Sequence, residues 1–323
     1  MCNIPTQTIK RSSAIALLLL LYSALLSAQE SQEIYTFLRL PVSAHAAALG
    51  GDNITLTDDD PSLIFHNPAL ISNTSDCSIN LNFMTYMAGS TTASASFVKE
   101  WNERTTWGVA GQYMNYGSMR ETTADGTEVG DFSAKDIAIS ASLAYMLSDR
   151  WSGGLTLRFI SSHIAGFSST GIGADLGLNY YDDERYWSFS AVAKNLGGEI
   201  STYEDRRESM PFDLQVGVSK RLNAAPLRFS ATFSRLNRWD VGLLKHLTVG
   251  ADFLIGDIVY IGAGYNFRRP SEMSINDGDS KSSHGAGLSV GAGLQLQRFK
   301  LNIAYGKYHV SASSLIIGAT YSL

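Results

Sequence analysis

Between residues 247 and 267 the chain reads LTVGADFLIGDIVYIGAGYNF, and nearly every second residue is apolar. Leu247, Val249, Ala251 and Phe253 share one face, and Thr248, Gly250 and Asp252 share the other. After Ile255-Gly256-Asp257 the pattern resumes with Val259, Ile261, Ala263, Tyr265 and Phe267. Successive side chains of a strand point to opposite faces, so this is a hairpin with one apolar face. Comparable runs lie near 78–87, 91–99, 106–116, 136–146, 151–161, 171–181, 187–194, 212–220, 227–235, 247–254, 258–267, 285–295, 299–306 and 312–323. The fourteen runs mostly have the length that a tilted strand needs to cross a bilayer. An even count suits a bacterial membrane barrel, whose closure removes every sheet edge. The expected fold is all-β, a transmembrane antiparallel barrel of about fourteen strands.

Two further patterns agree with a barrel. Connections after even-numbered strands are short (SDR, YDDER, IGD, LQR), whereas Gly117–Lys135, Asn195–Pro211 and Arg268–His284 are long. Membrane barrels have short periplasmic turns and longer external loops. Trp101, Trp107, Trp151 and Trp187 all flank short turns. Indole favours the membrane interface, so these four are expected to form one aromatic girdle. Core tryptophans of a soluble sandwich are the alternative. The last run carries Leu315, Ile317, Ala319, Tyr321 and Leu323 on one face to the final residue.

The start of the chain points to export. Lys10-Arg11 precede SSAIALLLLLYSALLSA, a basic start and an apolar run ending in small residues. This reads as a cleaved signal peptide over 1–28. Of 25 basic residues, removing Lys10 and Arg11 leaves 23 against 30 acidic, a formal charge of −7. That balance excludes a nucleic-acid binder. One cysteine, Cys77, stays in the expected mature chain, so no intrachain disulfide forms.

The expected barrel covers 77–323, and 29–76 precedes it. VSAHAAALG has helical character and a glycine stop at Gly50-Gly51. Asp60-Pro61 is a helix start, with a capping side chain and proline at the first helical position. Asn67-Pro68-Ala69 repeats that grammar. Some 45 residues are too few for an independent core, so the unit belongs inside the barrel as a hatch. The polar face of the strands near 258–267 and 285–295 carries Gly262, Gly264, Gly285, Gly287, Gly291 and Gly293. Either another backbone approaches there, or glycine eases the curvature of the wall.

Asp58, Asp59 and Asp60 stand in a row, yet consecutive residues point in different directions. No calcium-loop spacing or second ligand set follows. Capping and hatch packing is their expected role, and a weak cation site is the alternative. The six histidines are scattered, with no metal-like spacing, and His163, His246, His284 and His309 fall in or near external loops, where solvation is the default. There is no Gly-x-Ser-x-Gly elbow and no phosphate loop. Neighbouring Ser162 and His163 do not make a dyad. No catalytic residue, metal site or cofactor is expected. Arg206, Arg207, Trp239, Arg268 and Arg269 lie in external loops, where they are solvated or meet anionic lipopolysaccharide or an acidic partner.

The segment FLRLPVSAHAAALGGDNITLTDDDPSLIFHNPAL, Phe37 to Leu70, resembles the hatch of the FadL-like outer-membrane proteins. It is more closely similar to the PorV/PorQ group of the type IX secretion system in Bacteroidetes-type bacteria. The resemblance to that group implies a non-enzymatic outer-membrane barrel that anchors a PorZ-like surface protein and works with PorU and PorV in the cargo attachment complex. The wider FadL-like group implies transport of fatty acids or other hydrophobic compounds through an opening in the wall. Met84, Met87, Met114 and Met119, near the outer ends of early strands, either line a pocket for such a compound or face lipid.

Overall fold

The computed structural model describes residues 33–323 except 124, 204–206, 239–241, 257, 273–274, 278–279, 283–284 and 309–311. The expected signal peptide lies outside the described residues. Fourteen antiparallel strands close into a barrel. They are β1 (Ser78–Thr85), β2 (Thr91–Asn102), β3 (Thr105–Thr122), β4 (Glu128–Ser148), β5 (Trp151–Ile164), β6 (Phe167–Asp182) and β7 (Trp187–Ser201). The wall continues with β8 (Asp213–Arg221), β9 (Leu227–Phe233), β10 (Leu247–Ile255) and β11 (Val259–Asn266). A small hairpin, β12 (Ile275–Asp277) with β13 (Ser280–Ser282), sits in the loop that follows. Then come β14 (Leu288–Gln295), β15 (Phe299–Gly306) and β16 (Ser314–Ser322). Closure is made by β16 on β1, with Ser78 opposite Ser322 and Leu81 opposite Ala319.

Alternation decides which face looks where. On β1 the burial alternates residue by residue, with Ile79, Leu81 and Phe83 outward and Ser78, Asn80 and Asn82 inward. The outward residues remain exposed, as at Leu81 (57%), Ile139 (61%) and Leu157 (59%). An apolar belt of that extent is stable only against lipid. No helix among the described residues is long and apolar enough to cross a membrane. Trp101, Trp107, Trp151 and Trp187 stand on the outward face at the short-turn end, with Trp101 78% exposed.

Two long external loops are partly strand. Most of Gly117–Lys135 extends β3 and β4 beyond their bulge at Asn115/Ser118, with Arg120 opposite Asp131. Asn195–Ser201 likewise continues β7. Pairing persists there because the partner strand is equally long, which period counting on one strand does not reveal. The β5–β6 connection is a tight turn at Ala165-Gly166, both at positive φ, not a long loop.

Residues 33–77, which precede β1, fill the lumen. Four short turns of helix follow one another: Thr36–Arg39, Ala44–Ala48, Pro61–Phe65 and Pro68–Asn73. Ser43 caps the second, accepting from the Ala46 amide at 3.4 Å. Gly50 and Gly51, both at φ +100°, turn the chain out of it. The unit's own core is small, built on Leu49, Leu56, Leu63 and Leu70. Its remaining apolar residues pack on the wall: Ile64, Phe65 and Ile71 against Val98, Ala110 and Ala144, and Ala44, Ala47 and Ala48 against Met84, Ala304 and Ile316.

Wall glycines make this close approach possible. A Cβ on Gly264 would overlap the Leu49 carbonyl carbon, one on Gly291 would reach Ala48 Cβ at 2.6 Å, and one on Gly154 would overlap the Pro68–Ala69 peptide. Close approach of the hatch therefore explains Gly264 and Gly291, whereas Gly262 leaves room for the Asp252 carboxylate on the neighbouring strand. Gly285 and Gly287 instead take positive φ in the turn before β14, and Gly293 accommodates the Tyr260 ring.

Candidate functional site: the hatch locks and the chamber above them

The three consecutive aspartates hold the hatch in three different ways. Asp60 is an N-cap: its Oδ1 accepts from the Ser62 amide at 2.9 Å and from Ser62 Oγ at 2.7 Å, and its Oδ2 accepts from Ser43 Oγ at 3.1 Å. Burial pushes its carboxyl upward in pKa, against those hydrogen bonds. Asp59 pairs with Lys300 on β15 and accepts from the Ser75 amide at 2.6 Å. Asp58 takes part in a buried network with Arg228 of β9 (2.6 Å), His45 of the hatch and Asp252 of β10.

His45 sits at the centre of that network. Its Nδ1 lies 2.9 Å from Asp58 and its Nε2 3.0 Å from Asp252, while its ring stacks on Tyr260 at 3.6 Å between centroids. Two carboxylates on the two ring nitrogens make it a double donor, hence an imidazolium. Burial alone would lower its pKa, but Asp252 and Asp58 outweigh that and raise it to about 9. Burial would raise the Asp58 carboxyl, yet Arg228 and His45 hold it well below the usual carboxylate range. Two anions and two cations thus make a neutral lock between hatch and wall.

Asn67 is the second predicted cap, and its Oδ1 accepts from the Ala69 amide at 3.0 Å. Its Nδ2 also donates to the Ile54 carbonyl at 3.2 Å, and Pro68 occupies the first helical position. Replacing Asn67 with alanine is expected to cost about 1 kcal/mol through the lost cap, with the barrel still formed. A urea titration of the refolded protein, beside heat-modifiable migration, measures both.

A cavity of about 270 Å³ lies between the hatch and the external strand ends. Thr36–Pro41, Gly51, Asp52 and His66 form its hatch side, and Met114, Lys194, Gln215 and Tyr308 face it from the wall. His66 is buried and accepts from the Ser43 amide at 3.3 Å. Burial, helped by the charge of Lys194, lowers its pKa to about 3, so it stays neutral. Of the four methionines, Met84 and Met114 are buried in the lumen.

Arg268 and Arg269 correct the expectation of an exposed basic loop. They are 7% and 8% exposed and line this cavity. Arg268 Nε donates to the Lys245 carbonyl at 3.0 Å, and the Arg269 guanidinium lies 3.9 Å over the Tyr308 ring. The reason is local: Asn266 accepts from the Arg268 amide at 3.0 Å, a side-chain turn that bends the chain back into the lumen. His246, expected in solvent, is also fully buried. Arg207 is exposed, while Arg206 and Trp239, like His284 and His309, fall outside the described residues. No group of three or more His, Cys, Asp or Glu placed to hold a metal exists among the described residues.

Arg228, Asp252, Lys300 and His45 escaped prediction as a set. The available signal was a charge at an inward position of an otherwise small and polar face, as at Arg228 in LRFSATF and Lys300 in FKLNIAYG.

No protein-family model matches the sequence, and no curated protein matches it. Among solved structures, the chain is similar to the Pseudomonas putida toluene transporter TodX, with a TM-score of 0.57 and 14% identity over 87% of this chain and 98% of that one. The CymD monoaromatic hydrocarbon channel has a TM-score of 0.58 and 14% identity, over 88% of this chain and 98% of that one. At this identity the likeness is one of fold alone: a closed antiparallel β-barrel.

Proposed function

We propose that this protein is an exported, non-enzymatic outer-membrane channel that admits small hydrophobic molecules from outside when the first segment of its hatch moves aside. The observation that carries this reading is the apolar cluster at the external end. Ile34, Tyr35, Phe37 and Leu38 of the hatch complete it against Met114, Ile160 and Met210. A hydrophobic solute that displaced the segment would find that wall ready to bury it. The fold shared with a toluene transporter and a monoaromatic hydrocarbon channel supports the same reading.

The segment is tied down at the rim, where Glu33 bridges Ser209 and the Ile34 amide donates to the Ser209 carbonyl at 3.1 Å. Cysteines at both positions, Glu33→Cys with Ser209→Cys, place a disulfide across that bridge. Uptake of radiolabelled toluene or oleate should stop in the oxidised variant and return on reduction. Unchanged uptake after complete oxidation would sink this reading.

A second reading is favoured by how tightly the hatch backbone packs on the wall glycines. In it the barrel conducts nothing and anchors a PorZ-like surface protein, beside PorU and PorV, in a type IX attachment complex. The external loops bearing Arg206, Arg207 and Trp239 would meet that partner or lipopolysaccharide. A tag in the loop after β11 separates the two readings. Stoichiometric recovery of a soluble surface protein, with cargo lost from the surface of a deletion strain, supports anchoring. A barrel recovered alone from cells defective only in hydrophobic uptake supports the channel.

A further inference from the structure

The chamber above the hatch has a chemistry that a hydrocarbon does not satisfy. Five cationic side chains line it, Arg39, Lys194, Arg235, Arg268 and Arg269, against two carboxylates, Asp52 and Asp213. Its apolar members are already covered, because Phe37, Leu38 and Met114 pack into the external cluster. Several of its polar groups are not. Gln215, 3% exposed, donates its Nε2 to Asp213 at 2.7 Å and leaves Oε1 without a donor among the described residues. Arg39 uses its terminal nitrogens on Glu33, and its buried Nε has no acceptor among the described residues. Lys194, opposite Asp213 in the β7–β8 register, forms no hydrogen bond or close ion pair among the described residues.

An unmet buried polar group costs about 1–3 kcal/mol, and a charged one more. Two occupants meet that cost: water alone, or a solute with matching groups. Lys194 and Arg39 Nε require acceptors, and Gln215 Oε1 requires a donor. Lys194, an inward ammonium with no hydrogen bond or close ion pair among the described residues, favours an anion. Those demands together describe one class of molecule.

We propose that this chamber binds a small hydroxylated oxyanion, its carboxylate or phosphate oxygens received by Lys194 and Arg39 and a hydroxyl donated to Gln215. The inference goes beyond the uptake reading and does not require the hatch to move. Binding is read on the closed barrel, so failure of the transport experiment leaves it standing, and its own failure leaves transport standing.

The test is calorimetric titration of the refolded mature barrel in neutral detergent with gluconate, glycerol 3-phosphate and uncharged glycerol. At least one of the two anions should bind with one-to-one stoichiometry, and which of them binds identifies a carboxylate or a phosphate source. Lys194→Met and Gln215→Leu should each weaken that binding tenfold or more while heat-modifiable migration is retained. If Lys194→Met misfolds, Gln215→Leu decides, because it leaves every charge in place. Two results overturn the proposal. One is that neither anion binds better than glycerol, which leaves a chamber filled with water. The other is an affinity unchanged in the folded variants, which puts the bound anion elsewhere.

Discussion

Replacing Gly264 with valine is expected to leave the barrel without a seated hatch. A Cβ there overlaps the Leu49 carbonyl carbon and the Gly50 amide nitrogen, and stands 2.6 Å from Leu49 Cα. All three are backbone atoms, so no rotamer change relieves the clash. Ordinary overpacking costs about 1–3 kcal/mol because side chains give way. Here the turn after Ala44–Ala48 must lift away, and Leu49 leaves the cluster it forms with Leu56, Leu63 and Leu70. Each such leucine contributes about 1.5–3 kcal/mol when fully buried, so the loss reaches several kcal/mol. Limited proteolysis should cut residues 44–76 of the variant at a protease concentration that leaves the parent intact. Gly198→Ala is the control, because nothing lies within 4 Å of its added methyl. Parental protection in Gly264→Val would show that the hatch does not need this contact.

Arg228→Met should release the hatch by a different route. Removing the guanidinium leaves Asp58 and Asp252 with only His45 as counter-charge, a net buried anion. Breaking a buried pair in this way costs about 3–5 kcal/mol. The parent protein should show a related weakness in alkali. His45 has a folded-state pKa of about 9, raised from 6.5. Its contribution is therefore fully present below pH 6.5 and is lost as the pH rises through 9. At about 1.4 kcal/mol per pH unit, that interval corresponds to about 3 kcal/mol. Hatch protection in the parent should fall between pH 7 and 10, and His45→Gln should flatten that profile. A parent profile flat over the whole range would remove His45 from the lock.

Much of the architecture was legible along the chain, since period two and helix caps are local properties. Alternation places Leu81 and Ile139 outward and Asn80 and Ser140 inward without knowledge of any partner strand. The pairs Asp60-Pro61 and Asn67-Pro68 mark helix starts because cap and amide are two residues apart. Arg268 and Arg269 were misread for the complementary reason. A polar, basic stretch after a strand reads as solvated, and only the turn at Asn266 and the enclosing wall make it a lining. The β3–β4 extension was missed because a strand's length depends on what pairs with it.

By itself, then, the sequence determined a barrel of fourteen strands, its inner and outer faces, its short-turn end, and a capped segment too small to stand alone. Tertiary structure alone decided which groups meet across the lumen. His45 and Asp252 are 207 residues apart, and Asp59 and Lys300 are 241 apart. Side-chain direction follows from a residue's own backbone, whereas a partner across the lumen follows from strand register and closure. Those properties belong to the whole sheet and to no segment of it.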